Sequence, residues 1–156
     1  MTLTFGHAPF TRPPGGVYNF DLEHTAPGHI LYLEPVPKRM RGMLAGETIV
    51  DTRRGKMLHE TGQLIQWYIP LDDVRTDLLE QSGRHTSDPY KGEASYYQLR
   101  VGDRVEADAA WRYLRPSEAM PQLAGLIAFA FDRLDAWFEE DEQIVGHPRD
   151  PYHRFD

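Results

Sequence analysis

The chain has 156 residues, 40% of them hydrophobic and 26% charged, with no cysteine and a formal net charge of −7. That length suits one domain able to bury a core unaided. The missing thiols exclude disulfides, thiolate zinc sites and a cysteine nucleophile, and fit a reducing compartment, so the expected location is cytoplasmic. The acid surplus argues against nucleic acid, whose affinity rests largely on a basic face.

The first stretch, residues 1–28, holds Pro13, Pro14, Gly15, Gly16, Pro27 and Gly28 without a period of 2 or 3.6. It reads as an extended arm. Val17, Tyr18, Phe20 and Leu22 are too apolar for a free linker, so part of the arm should lie against the body or a second subunit. No basic region followed by an apolar run marks a secretory signal. No apolar stretch approaches the roughly 20 residues a membrane helix needs.

Residues 29–156 are expected to form one β domain. Ile30 to Glu34 is a short apolar run stopped by Pro35 and Pro37. Lys38 to Leu44 sets Met40 and Leu44 against Arg39 and Arg41, the alternation of a half-buried strand. Ala45-Gly46 suits a tight turn into Glu47 to Thr52, where Thr48, Ile49 and Val50 favour extended backbone. Leu64 to Ile69 places Ile65, Trp67 and Ile69 on one face, and Pro70 ends it. Leu71, Val74 and Leu78 then fall at helical spacing, with Asp72 in place to cap.

Alternation returns over Ala94 to Val101, with Tyr97, Leu99 and Val101 facing one way. Gly102-Asp103 turns the chain, and Val105 to Tyr113 puts Trp111 and Tyr113 on a shared face. Leu126 to Phe131 reads as a buried strand. Leu134, Trp137 and Phe138 suggest a helical turn, inside an acidic run, Asp135 to Glu142, that reads as a solvated face. The predicted fold is therefore mainly β, a compact antiparallel roll or folded sheet with one or two short helices.

Two segments crowd chemistry. The first is His85 to Tyr97, where Pro89 and Gly92 bracket a loop between helical turn and strand. Such loops display functional groups on a rigid frame. Lys91 beside Tyr90 and Tyr96 suits an anion, and a buried lysine loses its proton more easily and serves as base or nucleophile. The second is the terminal Gly146 to Asp156 stretch, dense in Pro, His and Arg, where Arg149 offers a planar fork and His153 a further polar group. Trp111 and Tyr113 on one strand face, with Trp67 and Trp137 elsewhere, suit an aromatic pocket wall, although aromatics at strand spacing are commonly core. Glu60, just before a strand, suits acid–base work.

Metal-ligand spacing is missing around His85, Asp88, Asp150 and His153, so no metal is predicted. The sequence lacks GxGxxG before a helix, GxxxxGK[ST] and GxSxG. No cofactor is therefore indicated.

Separated blocks in one order carry a family resemblance: Leu58-His59-Glu60-Thr61-Gly62, Tyr68 to Leu79, Thr86 to Tyr96, Ala110 to Tyr113, Gly125 to Phe131 and Trp137 to His153. With these the chain resembles the bacterial family catalogued as domain of unknown function 427, sometimes labelled nucleotidyltransferase-like, from about His29 onward. The resemblance implies a compact β domain of folded-sheet, tent-like shape, related to zinc-knuckle domains whose metal site a cysteine-free chain cannot build. The family's loop commonly reads Cys-Pro-Tyr-Lys-Gly, and here Asp88 takes the first place while Tyr90 and Lys91 match. Nucleotidyl transfer needs carboxylates set to hold magnesium near a phosphate loop, and no such pair stands out.

Three functional readings follow. The leading one is a pocket for a small anionic molecule, with Lys91 and Arg149 supplying charge, Tyr90, Tyr96 and Trp111 the walls, His153 a further contact, and Glu60 a hydrogen bond. The second is an enzyme of unassigned reaction using Lys91 and Glu60 as acid–base groups. The third is a homodimeric interaction module built through residues 1–28.

Overall fold

A computed structural model of the chain describes residues 29–146 and, before them, the backbone of Val17–Tyr18. Twelve strands stand among the described residues. They are β1 (Val17–Tyr18), β2 (Leu31–Pro35), β3 (Met40–Leu44), β4 (Glu47–Thr52), β5 (Lys56–Glu60), β6 (Gln66–Pro70), β7 (Leu79–Asp88), β8 (Gly92–Val101), β9 (Arg104–Pro116), β10 (Leu126–Phe129), β11 (Ala136–Glu139) and β12 (Glu142–Ile144). They form an eight-stranded sheet, in the order β1-β2-β5-β6-β10-β9-β8-β7, and a four-stranded sheet, β12-β11-β3-β4. All strand pairings among the described residues are antiparallel. Within the arm, Val17 and Tyr18 pair with Leu33 and Tyr32.

Alternation along the strands of the large sheet separates two cores on its opposite faces. Trp67, Ile69, Leu99, Ala110, Ile127 and Phe129 meet Met40, Leu44, Ile49, Val50 and Trp137 from the small sheet. This inter-sheet core carries two of the three tryptophans, Trp67 and Trp137, which cross edge-to-face at 5.6 Å. On the other face Leu31, Leu33, Leu58, Tyr68, Tyr113 and Ala128 pack under Met120 and Leu123. Each core residue here buries apolar area worth ~1.5–3 kcal/mol per large side chain.

The tight turns follow from their residues. Ala45 and Gly46 both take positive φ, at 50° and 81°, between β3 and β4. That is the primed hairpin turn whose twist matches its strands. Gly42 sits where a Cβ would lie 2.7 Å from Leu134 and 2.9 Å from Trp137, so those two side chains pack across β3 only over a glycine.

Three sequence expectations change. The 71–79 segment forms two 3-10 turns, Leu71–Asp73 and Thr76–Leu78, rather than an α-helical piece, and Asp72 caps neither. Asp73 instead accepts a 2.6 Å hydrogen bond from Thr52 Oγ1 and pairs with Arg54, tying the turn to β4. Those partners hold the Asp73 carboxyl below its usual range, the Arg54 hydrogen bond foremost, burial opposing it. Trp137 and Phe138 lie on β11, not on a helical turn. Their spacing served strand alternation, Trp137 buried inward and Phe138 outward beneath the Arg41 guanidinium at 4.8 Å. The acidic run is partly anchored: Asp135 accepts from the Ala45 amide and Arg104, and Glu140 from the Arg39 amide.

No helix among the described residues is long and apolar enough to cross a membrane.

Candidate functional site

The tip joining β7 to β8 is built by its own sequence. Asp88 Oδ1 accepts the amides of Tyr90 and Lys91 at 2.8 and 2.9 Å, the side-chain-to-backbone turn that aspartate favours. Pro89 fixes one dihedral of that turn. Gly92 follows at φ +110°, and a Cβ there would approach Ser117 N to 2.9 Å and Arg115 O to 3.0 Å. Ser117 closes the tip from outside, its amide donating to Lys91 O and its hydroxyl to Tyr90 O. Lys91 thus leaves a backbone clamped on both sides.

From that clamp the Lys91 side chain runs inward and is 11% exposed. Its Nζ donates to Glu60 Oε1 at 2.5 Å and lies 3.3 Å from Asp88 Oδ2. Glu60, at the end of β5, is 5% exposed, and its second oxygen meets His29 Nε2 at 2.9 Å. His29 in turn stacks on Tyr90, rings 3.8 Å apart and 13° from parallel. Burial pulls the Lys91 ammonium toward its neutral form, but the Glu60 hydrogen bond and charge, helped by Tyr113 and Asp88, win, and its pKa is raised. The sequence reading of a buried lysine shedding its proton is therefore corrected. A carboxylate in direct contact outweighs desolvation.

The pair lies in a cleft of about 350 Å³ on the face of the large sheet away from the small one, and Glu60, Asp88, Lys91, Tyr68, Tyr96 and Trp111 are among its lining residues. Tyr96 and Trp111 stand side by side, ring centres 6.1 Å apart, and Thr86 donates to the Tyr96 hydroxyl at 3.2 Å. Burial holds the Tyr68 hydroxyl well above its usual ionisation range, with Tyr113 adding to it and the Trp111 N–H opposing. Burial likewise raises Tyr113, against the pull of Lys91. Both phenols stay protonated and able to donate. Two carboxylates, Glu60 and Asp88, face one ammonium, Lys91, so the cleft carries a formal charge of −1.

Of the residues nominated from sequence, Lys91, Glu60, Tyr96 and Trp111 converge here. Tyr90 does not line the cleft: its ring packs behind the lysine against His29. Arg149 and His153 lie outside the described residues. The lysine loop is also a hairpin tip between two long strands rather than a link from helix to strand. Tyr113, read from sequence with Trp111 as an aromatic wall, lines the cleft too. Sequence reasoning missed His29 and Tyr68. Tyr68 alternates with core positions on its strand, a signal shared with every half-buried residue, whereas His29 had none. His59 turns the other way from Glu60, stacking by Tyr32 and meeting Glu34 at 3.3 Å. No three His, Asp or Glu among the described residues converge as metal ligands.

Fold and site together define a two-sheet antiparallel β domain with a polar, aromatic-walled cleft on the outer face of its larger sheet. The chain belongs to the family described as domain of unknown function DUF427, whose model matches residues 32–140. Every residue lining the cleft falls inside that span, and His29 lies just before it. A search of the curated proteins found no match.

Proposed function

We propose that the cleft binds a small, uncharged molecule carrying a flat or ring-shaped face and several oxygens, in the class of nucleosides and sugars. The observation behind this reading is the Lys91–Glu60 pair held beside Tyr96 and Trp111 in one cavity. Its volume sits near the lower end of ligand pockets, roughly 300–1,000 Å³. An ammonium offers three donors, and two of Lys91's carboxylate contacts are within the protein, which leaves one for a carbonyl or hydroxyl oxygen. The carboxylates accept from ligand hydroxyls or amines, and the aromatic rings take its face.

Net charge weighs against the anionic ligand expected from the sequence. A phosphate entering the cleft meets two carboxylates and a lysine already neutralised by one of them. The second cation that reading needs, Arg149, is outside the described residues. In acid–base work the raised Lys91 would give a proton rather than take one, which limits the enzyme reading to a general acid or a fixed positive charge.

The test is a thermal-shift and calorimetric panel on the full chain: nucleosides and monosaccharides, each beside its phosphorylated counterpart. Binding to the native state raises the melting temperature. Neutral compounds should stabilise, and Lys91→Met should abolish the effect. Stabilisation by the phosphorylated partners alone would restore the anionic reading and overturn this one.

A further inference from the structure

The large sheet carries a second polar cluster on the face opposite the cleft. His85 on β7, Ser95 on β8 and Arg112 on β9 stand in one row, with His85 paired to Ser95 and Ser95 to Arg112. Each is flanked by residues belonging to the cleft side. Arg84 covers Tyr96 and Thr86 bonds its hydroxyl, Ala94 and Tyr96 pack in the outer core, and Trp111 and Tyr113 join them. Alternation therefore sends all three side chains the other way.

We propose that this row is an oxyanion site, binding a phosphate or carboxylate group through Arg112, Ser95 and His85. Arg112 carries the argument. Its Nε is buried without a hydrogen-bond partner among the described residues. A buried donor left unmet costs free energy, and native proteins leave few of them. Most arginines here have a carboxylate: Arg39 has Asp51, Arg54 has Asp73, Arg84 has Asp108, Arg100 has Glu80 and Arg104 has Asp135. Among the described residues Arg41 also has an unmet Nε and no carboxylate, but its guanidinium lies on the Phe138 ring and donates to Glu140 O. Half-buried Arg112 has neither contact among the described residues, and in a chain with a surplus of acid it is the guanidinium left for an anion. The planar fork matches two oxygens of such a group.

Ser95 supplies the second donor. It is 4% exposed, and its Oγ lies 3.3 Å from His85 Nδ1. With the imidazole N–H donating to Oγ, the hydroxyl hydrogen is free to turn toward an anion beside Arg112. Glu93 is the nearby opposing charge, 3.6 Å from His85 Nδ1, but two-thirds exposed and free to swing into water. The same contacts rule out a serine nucleophile. Ser95 and Glu93 share one ring nitrogen, whereas a relay needs the hydroxyl and the carboxylate on opposite nitrogens. The row binds; it does not attack.

The experiment is an NMR amide titration of the full chain with inorganic phosphate and, separately, acetate, each against sodium chloride at matched ionic strength. Saturating shifts centred on residues 85, 95 and 112 are expected, with the tighter of the two anions assigning a tetrahedral or a planar group. Arg112→Gln should weaken binding by about tenfold or more, the scale of a lost charge-assisted contact. Ser95→Ala, which removes only a hydroxyl, should weaken it less while keeping amide dispersion native. Arg112→Lys should restore part of it, charge without fork. Equal shifts from chloride, or titrations unchanged in Arg112→Gln and Ser95→Ala, would overturn the site. Because the row lies across the sheet from the cleft, Lys91→Met should leave this binding intact, so the two proposals fail separately.

Discussion

Replacing Glu60 with glutamine removes a charge and almost no volume, which makes it a clean probe of the buried pair. Glu60 and Lys91 are 5% and 11% exposed, so water screens them little. Removing one member of a buried pair strands the other, at ~3–5 kcal/mol. Asp88, 3.3 Å from the ammonium, keeps part of that compensation. A loss of roughly 2–4 kcal/mol is therefore expected for Glu60→Gln. For a chain of this length that lowers the melting temperature by roughly 5–15 °C. Lys91 should also titrate lower than in the native protein, since burial then acts with less opposition. The double variant Glu60→Leu/Lys91→Met removes both charges and fills the space with apolar atoms, and should recover most of the stability. Urea melts of the native chain, Glu60→Gln, the single variants Glu60→Leu and Lys91→Met and the double variant, with a side-chain NMR titration of Lys91, give the readouts. If Glu60→Gln melts with the native chain, or the double variant loses the sum of the singles, the pair is not the coupled element described.

Alkaline pH should destabilise the fold. The raised Lys91 contributes stability that is whole below about pH 10 and lost as pH climbs through its folded value, while Tyr68 and Tyr113, raised by burial, oppose ionisation over the same range. Melting temperature against pH should fall from about pH 10 upward, and tyrosinate absorbance should show two late-titrating phenols. Gly92→Ala meets both a φ of +110° and backbone atoms at 2.9 and 3.0 Å, so a loss of roughly 2–4 kcal/mol is expected in a denaturant melt. The same substitution should lower the Lys91 pKa by loosening its turn. Gly42→Ala, on the other side of the molecule, drives a methyl into Leu134 and Trp137 and should cost ~1–3 kcal/mol with altered tryptophan fluorescence. It should leave Lys91 titrating normally.

Much of the architecture was readable from local pattern. Residues 66–70 and 92–101 alternate because one face of each strand packs between the sheets and the other lines the outer core. Ala45-Gly46 and Gly102-Asp103 marked hairpins because Gly46 and Gly102 take positive φ at little cost. The misread segments have separate causes. Leu71, Val74 and Leu78 show helical spacing, yet Pro70 precedes them and Val74 takes a bridge to Val50, so 3-10 turns win. Trp137 looked helical because four residues are too few to separate one period from another.

The site divides along the same line. Local sequence determined the lysine tip: Asp88, Pro89 and Gly92 dictate a turn whichever strands it joins, and Asp88 supplies both the amide acceptor and a carboxylate for Lys91. It also determined that Trp111 and Tyr113 would share a face, whereas Glu60, read as lying just before a strand, ends β5, a strand that the local pattern did not mark. Only the tertiary structure decided that Glu60, thirty-one residues before Lys91, would meet it, because β5 and the β7–β8 tip lie four sheet positions apart in the strand order and are brought together by the curvature of the sheet and its loops. That meeting set the lysine's protonation. Burial and charge pull an ammonium in opposite directions, and which prevails depends on a distance that no stretch of sequence contains.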